Sequence, residues 1–351
     1  MGVYGLGAKE SLVSSSTSPL ETDVAIIGAG PIGLELALEL KRRGIEYLQF
    51  ERGQVGQTIF AFHPQMRFYS PNDRLSLAGI PLQTSDNDRC TREQYLAYMR
   101  SLVIQNQLQI RSYEEIVHVE RLFDGSFLLE SRRSGKIHYT RAQKLVLASG
   151  CMHRPHTLEI PGEHLPHVRH AFSDAHEFFQ QRVLLVGGRS SAIEAALQCC
   201  RAGAKVTLSY RRPLLKRGAI RPWVLPEFES RVRNKEIRVL LRTSPIEIHQ
   251  DYVKLLHAEE LKELCVRADF VLLMTGYEAD RSIIEKLGLD CTGPASSPYF
   301  NPETMESSIP GIYLAGTICG GQQKSFHLFI DNCHQHCTKI ASNLEKTYTT
   351  N

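Results

Sequence analysis

The sequence lacks a Cys-x-x-Cys pair, a long apolar segment and a strong net charge. Its nine cysteines are an odd number in a chain without a secretory signal, which argues against a disulfide scaffold. No apolar run approaches the ~18–20 residues that span a bilayer, and Leu6 stands where a myristoylation signal requires Ser or Thr. A net charge of +3 is too small to indicate nucleic acid or an anionic membrane as a partner. We therefore expect a cytoplasmic protein with neither of these partners.

The chain has 351 residues, which is long for one domain and suitable for two of ~100–200 residues each. Residues 1–21 contain several closely spaced serines and predict a flexible leader. With 42% hydrophobic and 23% charged residues, the whole chain has the composition of an ordinary globular protein.

A first glycine-rich turn follows the apolar run Val24–Ile27 and precedes a segment that favours helix. This strand–turn–helix context is what a G-x-G-x-x-G match requires before it indicates a dinucleotide. The helix N-terminus would offer N–H groups to a pyrophosphate. The turn residues predicted to bind the cofactor are Gly28, Gly30, Pro31, Ile32 and Gly33.

Glu51 ends the next apolar strand, about 20 residues after the first glycine, as the fingerprint requires. Its carboxylate would accept hydrogen bonds from ribose hydroxyls. The complete pattern predicts FAD in this first turn.

A second turn follows the strand Arg182–Val186 and has a different ending. Its predicted cofactor residues are Gly187, Gly188, Arg189, Ser190 and Ser191, with Arg189 in place of the second glycine. The strand Lys205–Tyr210 then ends in Arg211 and Arg212, where the first unit has an acid. Guanidinium groups bind a ribose 2′-phosphate that a carboxylate would repel. This turn therefore predicts NADPH.

Three further apolar strands stop at small residues, as expected where backbone must approach another group closely. Their ends place Gly150, Gly276, Gly316 and Thr317 among the predicted cofactor contacts. Together with the two turns, in this order, they resemble the two-dinucleotide-binding flavoproteins, the class of thioredoxin reductase and the flavin monooxygenases. That resemblance implies an α/β fold of two Rossmann-like domains, with the NADPH domain (165–285) inserted in the FAD domain (22–160 and 290–346).

The match narrows to the bacillithiol disulfide reductase (YpdA-like) family, which the sequence resembles from about Asp23 to Asn343. The segments that carry the resemblance are Val168–Phe172, Gly187–Ser191, Ile220–Phe228, Arg74–Pro81 and Gly311–Asn332. The resemblance implies an NADPH-dependent flavoenzyme that reduces a low-molecular-weight thiol disulfide, and a homo-oligomer.

The sequence departs from this family at Ile32, because the family's suggested redox cysteine lies at that position in the glycine turn. Reduction of a disulfide normally begins with attack by a thiolate. Either another cysteine serves, with Cys319 and Cys151 as candidates because they follow glycines predicted near the flavin, or the electrons leave by another route. His170, His327 and Lys324 are further guesses for groups near the acceptor.

Two other functions stay open at this point. A flavin monooxygenase shares the class, although only His170 of that group's signature before the second turn is present. A nucleotide-binding sensor, or an NADPH reductase for ferredoxin or flavodoxin, would need no active-site thiol. No metal is expected: Cys333 to Cys337 includes two histidines, but on the predicted helix these point in different directions.

Overall fold

The computed structural model describes residues 18–86, 88–322 and 327–349. Its first part alternates strands with helices and then forms an antiparallel meander. The elements are β1 (Leu20–Ile27), α1 (Pro31–Arg42), β2 (Tyr47–Glu51), α2 (Gln57–Phe60), α3 (Asn72–Leu75), α4 (Arg92–Gln105), β3 (Ile110–Ser112), β4 (Glu115–Arg121), β5 (Phe127–Arg133) and β6 (Lys136–Leu147).

The middle part repeats the strand–helix alternation and adds a small antiparallel layer. Its elements are β7 (Arg154–Pro155), β8 (Val168–Arg169), β9 (Arg182–Val186), α5 (Ser190–Arg201), β10 (Lys205–Tyr210), α6 (Leu225–Arg233), β11 (Ile237–Leu241), β12 (Thr243–Ile248), β13 (Tyr252–His257), β14 (Glu263–Arg267), β15 (Phe270–Leu273) and β16 (Tyr277–Glu278). The last part contains α7 (Ser282–Leu287), β17 (Cys291–Thr292), β18 (Ser297–Pro298), β19 (Ile312–Leu314) and α8 (His334–Thr349).

The first and last parts form one unit, here called the outer unit, around a seven-stranded sheet. The order is β3-β2-β1-β6-β5-β4, and β19 also pairs with β6. The strands β3, β2, β1, β6 and β19 run parallel, whereas β5 and β4 are antiparallel. The twelve residues of β6 allow this branching, since its early part pairs with β5 and its end with β19.

The middle part forms the inserted unit, from β8 to β15, around a parallel sheet of order β11-β10-β9-β15-β8. Side chains alternate across β9: Val183 and Leu185 enter the core beneath α5, while Leu184 and Val186 face the antiparallel layer β12-β13-β14. Parallel strands covered on both faces are continuous apolar runs, which is why the sequence predicts β9 and β10 with their observed bounds.

The fold class predicted from the sequence is confirmed, and the insertion has a simple structural basis. The chain leaves the outer unit through β7 and returns through β16, and these two short strands pair antiparallel to each other. The two crossings therefore lie side by side as a narrow link between the units.

The predicted unit boundaries differ from the structure in four places. Leu158 and Ile160, assigned to the first domain, pack with the inserted core, whereas Ile284, assigned to the second, is buried in the outer core. Leu20 and Glu21, assigned to the leader, pair with β6, and residues 1–17 of that leader lie outside the described residues. The final helix continues past residue 346 to Thr349. Connecting residues pack by tertiary contact, which strand patterns do not reveal.

Candidate functional site

The turn between β1 and α1 is shaped by three glycines with different surroundings. Gly28 has φ +113°, and a Cβ there would lie 2.5 Å from the Ala148 carbonyl oxygen. A Cβ on Gly33 would lie 2.2 Å from the Gly28 carbonyl oxygen, so α1 packs directly on the turn. At Gly30, by contrast, a Cβ would meet no atom of the described residues within 4 Å. The tight turn, close helix and open middle position fit the pyrophosphate of a dinucleotide such as FAD.

The N-terminus of α1 begins directly after this open position. Gly30 is the N-cap and Pro31 occupies the first helical turn, where its missing N–H costs no hydrogen bond. No acidic side chain lies in that turn, so the positive end of the helix dipole is available to a phosphate. Ile32 is buried beneath it, with 6% exposure.

Glu51 closes the turn from the end of β2. Its carboxylate accepts hydrogen bonds from the backbone N–H groups of Ala29, at 2.9 Å, and Gly53, at 2.8 Å. These bonds hold the carboxylate in place at the edge of the turn Gly28–Gly33, here called the first cradle. Gln49 supports the first cradle from beneath, because its Nε2 donates to the Gly28 carbonyl at 2.9 Å. The sequence reasoning missed Gln49, although a polar residue inside an otherwise apolar strand is a usable signal.

The carboxyl ends of β6 and β19 meet beside α1. A Cβ on Gly150 would lie 3.7 Å from the Thr317 hydroxyl, and one on Gly316 would lie 3.3 Å from the Ile32 Cβ. The structure thus brings four predicted cofactor residues from three distant segments to one place, next to the first cradle. Gly276 lies elsewhere, after β15, and a Cβ there would be 3.8 Å from the His156 ring.

The turn Gly187–Ser191, here called the second cradle, follows β9 and is more crowded than the first cradle. A Cβ on Gly187 would lie 2.7 Å from the Met274 carbonyl oxygen, and one on Gly188 would lie 2.4 Å from the Tyr210 ring. Arg189 is the N-cap of α5 and is exposed. Arg211 and Arg212 are also exposed, directly after the end of β10. Three exposed arginines therefore stand at the start of α5 and just after β10, while the glycines hold the backbone of the turn close to the sheet.

Ser190 and Ser191 open α5, and their side chains have different surroundings. The Ser190 hydroxyl accepts from the Arg221 backbone N–H at 3.0 Å and is 3.4 Å from the Ala219 carbonyl. It therefore holds the loop before α6. Ser191 is exposed. For Ser190, the backbone N–H at the helix N-terminus is the group suited to a phosphate.

The two candidate redox cysteines lie beside the first cradle but are buried. Cys319 is 4% exposed and Cys151 is 7% exposed. Desolvation raises the pKa of the Cys319 thiol well above its ordinary value. A raised pKa disfavours the thiolate that attacks disulfides. The Cys319 Sγ lies 3.9 Å from Nδ1 of His336, which also accepts a hydrogen bond from the Gly316 N–H at 3.1 Å.

The other groups guessed near the acceptor are dispersed. His170 is partly buried in the inserted unit, with Nε2 3.8 Å from the buried Glu163 carboxylate. His327 is exposed, and Lys324 lies outside the described residues.

The segment Cys333 to Cys337 spans the start of α8, and both of its cysteines are buried in the core of the outer unit. His334 Nδ1 lies 2.7 Å from the Glu35 carboxylate, and the Cys337 thiol donates to the Ile32 carbonyl at 3.4 Å. Among the residues described, no group of three or more potential ligands could hold a metal ion. Within the same ranges, no helix is long and apolar enough to cross a membrane.

Comparisons with known proteins agree with this architecture along nearly the whole chain. The model of the pyridine nucleotide-disulphide oxidoreductase family matches residues 25–316. Bacilliredoxin reductase Bdr of Bacillus subtilis (strain 168) is 33% identical over 327 residues, which cover 93% of this chain and 98% of the relative.

Solved structures of two relatives superpose on most of the chain. The bacillithiol disulfide reductase Bdr (YpdA) from Bacillus cereus matches with a TM-score of 0.89 at 30% identity, and the Staphylococcus aureus protein of that name with 0.86 at 31%. Each alignment covers 93% of this chain and 99% of the other.

Proposed function

The chain belongs to the pyridine nucleotide-disulphide oxidoreductase family, within it to the Bdr-type reductases, and we propose that it reduces a low-molecular-weight thiol disulfide with electrons from NADPH. As a member of this family it is a flavin-dependent oxidoreductase that binds FAD and NADPH. The proposed reaction converts NADPH, a proton and one disulfide into NADP⁺ and two thiols. Bacillithiol disulfide is the foremost substrate, because the solved relatives are reductases of that compound.

The observation that carries the proposal is the contrast between the two cradles. The strand after the first cradle ends in Glu51, whose fixed carboxylate suits the free ribose hydroxyls of FAD. The strand after the second cradle is followed by the exposed Arg211 and Arg212, which suit a ribose 2′-phosphate. Bound FAD supplies the centre that accepts a hydride and returns two electrons. The protein's own residues position the two nucleotides.

The route of the electrons to the disulfide is the open part of the proposal. Ile32 cannot form a mixed disulfide, and burial opposes ionisation of Cys319. Cys319 and Cys151 stay candidate thiols, and replacing each with Ser tests them separately. Loss of disulfide turnover with unchanged reduction of the flavin by NADPH would identify a relay thiol.

We further propose that the enzyme acts in the cytoplasm as a homo-oligomer, without a nucleic-acid or membrane partner. A reductase that maintains small thiols, and draws on NADPH, is suited to a reducing compartment. The small net charge of +3 agrees with a small-molecule substrate.

The decisive experiment mixes the FAD-loaded protein anaerobically with NADPH, with and without bacillithiol disulfide. We expect the flavin absorbance to bleach on NADPH addition and the disulfide to drive continuous NADPH consumption. A flavin that NADPH leaves unchanged would contradict the assignment of the second cradle as the NADPH site.

A second candidate is an NADPH reductase for a protein electron carrier, and Ile32 is the observation that favours it. Electron transfer to ferredoxin or flavodoxin needs no active-site thiol. In the same assay, a flavin that NADPH bleaches but no small disulfide reoxidises, while ferredoxin or flavodoxin does, would support this function. Reoxidation by oxygen alone would direct attention to a monooxygenase.

A further inference from the structure

Trp223 is the only tryptophan of the chain and lies between a short 3₁₀ turn, Arg217–Ala219, and α6. Its neighbours Ile220 and Val224 are buried in the core of the inserted unit, whereas the Trp223 side chain is 49% exposed. The backbone at this point is therefore fixed to the inserted unit while the indole projects away from it.

The indole meets the outer unit between two side chains. It stacks on Tyr69, with ring centroids 5.1 Å apart and an interplanar angle of 23°, and the Arg89 guanidinium carbon lies 4.9 Å from its centroid. Tyr69 and Arg89 are joined to each other, because the Arg89 Nε donates to the Tyr69 carbonyl at 2.7 Å. We call Tyr69, Arg89 and Trp223 the Trp223 clasp.

A second aromatic contact joins the units. The His63 ring of the outer unit lies 5.3 Å from the Phe172 ring of the inserted unit, edge to face. Phe172 is buried in the core of the inserted unit, so its side chain is held in place there and the contact with His63 connects the two units. The covalent connection between the units is the narrow β7–β16 link. The link and the two side-chain contacts together join the units at three places, and three separate connections define the orientation of one unit relative to the other.

The clasp is also connected to the second cradle. Arg221, two residues before Trp223, donates its backbone N–H to Ser190 at the start of α5. Its guanidinium binds both carboxylate oxygens of Glu194 on the same helix, at 2.7 and 2.9 Å. Through these bonds the loop that carries Trp223 and the N-terminus of α5 form one rigid piece. A rotation of the inserted unit that separates Trp223 from Tyr69 therefore moves the second cradle as well.

We propose that the Trp223 clasp is a positioning element for hydride transfer, holding the second cradle against the outer unit in the orientation that brings the nicotinamide to the flavin. This role rests on the proposed transfer from NADPH to FAD. An aromatic stack and an exposed cation–π contact each change an equilibrium about two- to tenfold. That range is suited to a contact that opens and closes during turnover.

The test uses Tyr69→Ala in the FAD-loaded full-length protein. Because Trp223 is the sole tryptophan, its fluorescence reports the clasp directly. We expect emission at longer wavelength, stronger quenching by acrylamide, and flavin reduction by NADPH slowed about two- to tenfold in anaerobic stopped flow. Tyr69→Phe keeps the stacked ring and should restore both readouts. Tyr299→Ala is the matched control, because Tyr299 is 54% exposed and Tyr69 52%.

The two readouts separate this proposal from the proposed function. If Tyr69→Ala leaves the Trp223 emission and quenching unchanged, the clasp does not form in solution. If the fluorescence changes but the rate of flavin reduction does not, the clasp exists without positioning the transfer, and the proposal is wrong. If NADPH fails to reduce the flavin of the unaltered protein, the proposed function fails, and this positioning role fails with it. The fluorescence arm would still decide whether the clasp exists.

Discussion

Gly28, Gly30 and Gly33 occupy one turn, but each meets different surroundings. Gly28 needs its positive φ and has a backbone carbonyl where a Cβ would lie. Gly33 has no room for a Cβ because α1 packs on the turn. Gly30 meets no such limit from the part of the chain that the structure describes. The fold itself therefore requires glycine at positions 28 and 33, whereas at position 30 we propose that the approach of the cofactor requires it.

Replacing these glycines separately should split cofactor binding from stability. Gly30→Ala should change the free energy of unfolding of the flavin-free protein by less than about 1 kcal/mol, yet weaken FAD binding at least about tenfold, because a methyl group blocks the approach of the pyrophosphate. Gly28→Ala, the control, should lose at least about 1–3 kcal/mol, because the positive φ strains the backbone and the new Cβ meets the Ala148 carbonyl. Denaturant titration and flavin retention on gel filtration measure the two effects. Equal FAD affinity in Gly30→Ala and the unaltered protein would contradict this assignment.

Arg211 and Arg212 should determine the choice between NADPH and NADH. Charge-assisted hydrogen bonds contribute about 1.5–3 kcal/mol each. Replacing both residues with Ala should therefore raise the KM for NADPH at least about 10- to 100-fold while changing the KM for NADH little. Arg238→Ala, an exposed arginine on the next strand, is the matched control. A proportional loss with both nucleotides would show that these arginines do not read the 2′-phosphate.

At the scale of elements, α8 carries two histidines whose pKa values move in opposite directions. His334 faces the carboxylates of Glu35 and Asp331, and its hydrogen bond to Glu35 raises its pKa. His336 is buried against Gly316 and Cys319, with Lys339 nearby, and desolvation lowers its pKa to about 4. The Gly316 N–H donates to Nδ1 of His336, which requires a neutral ring with its proton on the other nitrogen. Two residues of one helix thus respond oppositely to acid.

His336 should destabilise the protein as the pH falls from about 6.5 towards 4. In that window the unfolded chain takes up a proton that the folded protein resists, so the free energy of unfolding should fall by up to about 3 kcal/mol. Above pH 6.5 the contribution is constant. His336→Asn should remove this slope, and urea denaturation at several pH values measures the difference.

The opposing contribution of His334 cancels in that comparison. Its raised pKa adds stability that is complete below about pH 6.5 and is lost as the pH rises through the folded value. Since His334 is present in both proteins, it should change neither the sign nor the window of the difference. Parallel curves for the two proteins between pH 4 and 6.5 would show that His336 does not titrate as its burial implies.

At the scale of the whole molecule, the described residues form three separate apolar cores. One lies in the outer unit, and two lie on opposite faces of the inserted sheet. The outer core shares no buried residue with the other two. The units are joined by the β7–β16 link and by surface contacts such as the Trp223 clasp. Such an arrangement favours two cooperative unfolding units.

Each nucleotide should therefore stabilise its own unit. At about 100 times the dissociation constant, a ligand adds about 2.7 kcal/mol to the unit that binds it. In calorimetry of the flavin-free protein, FAD should raise the midpoint temperature of one thermal transition, and NADP⁺ should raise that of the other. Gly30→Ala should suppress only the response to FAD, which assigns the transitions. A single transition that both ligands raise would show that the units unfold together.

Much of this architecture follows from local patterns in the sequence. Continuous apolar runs predict β2, β9 and β10 with the bounds that the structure has, because a buried parallel strand is continuous in its hydrophobicity. The acid at Glu51 and the guanidinium groups at Arg211 and Arg212 also follow from short spacings. Unit boundaries do not, as Ile284 and Leu158 show, because a connecting residue joins whichever core lies nearest.

The sequence by itself determined the two cradles and the charge that ends each of them, since these depend on residues within about 25 positions of one another. Only the tertiary structure decided what lies around Ile32. Gly316 packs on its side chain, the Cys337 thiol reaches its carbonyl, and Cys319 is buried nearby against His336. The Trp223 clasp likewise joins residues more than a hundred positions apart. Such contacts depend on how whole elements pack, and no local spacing encodes them.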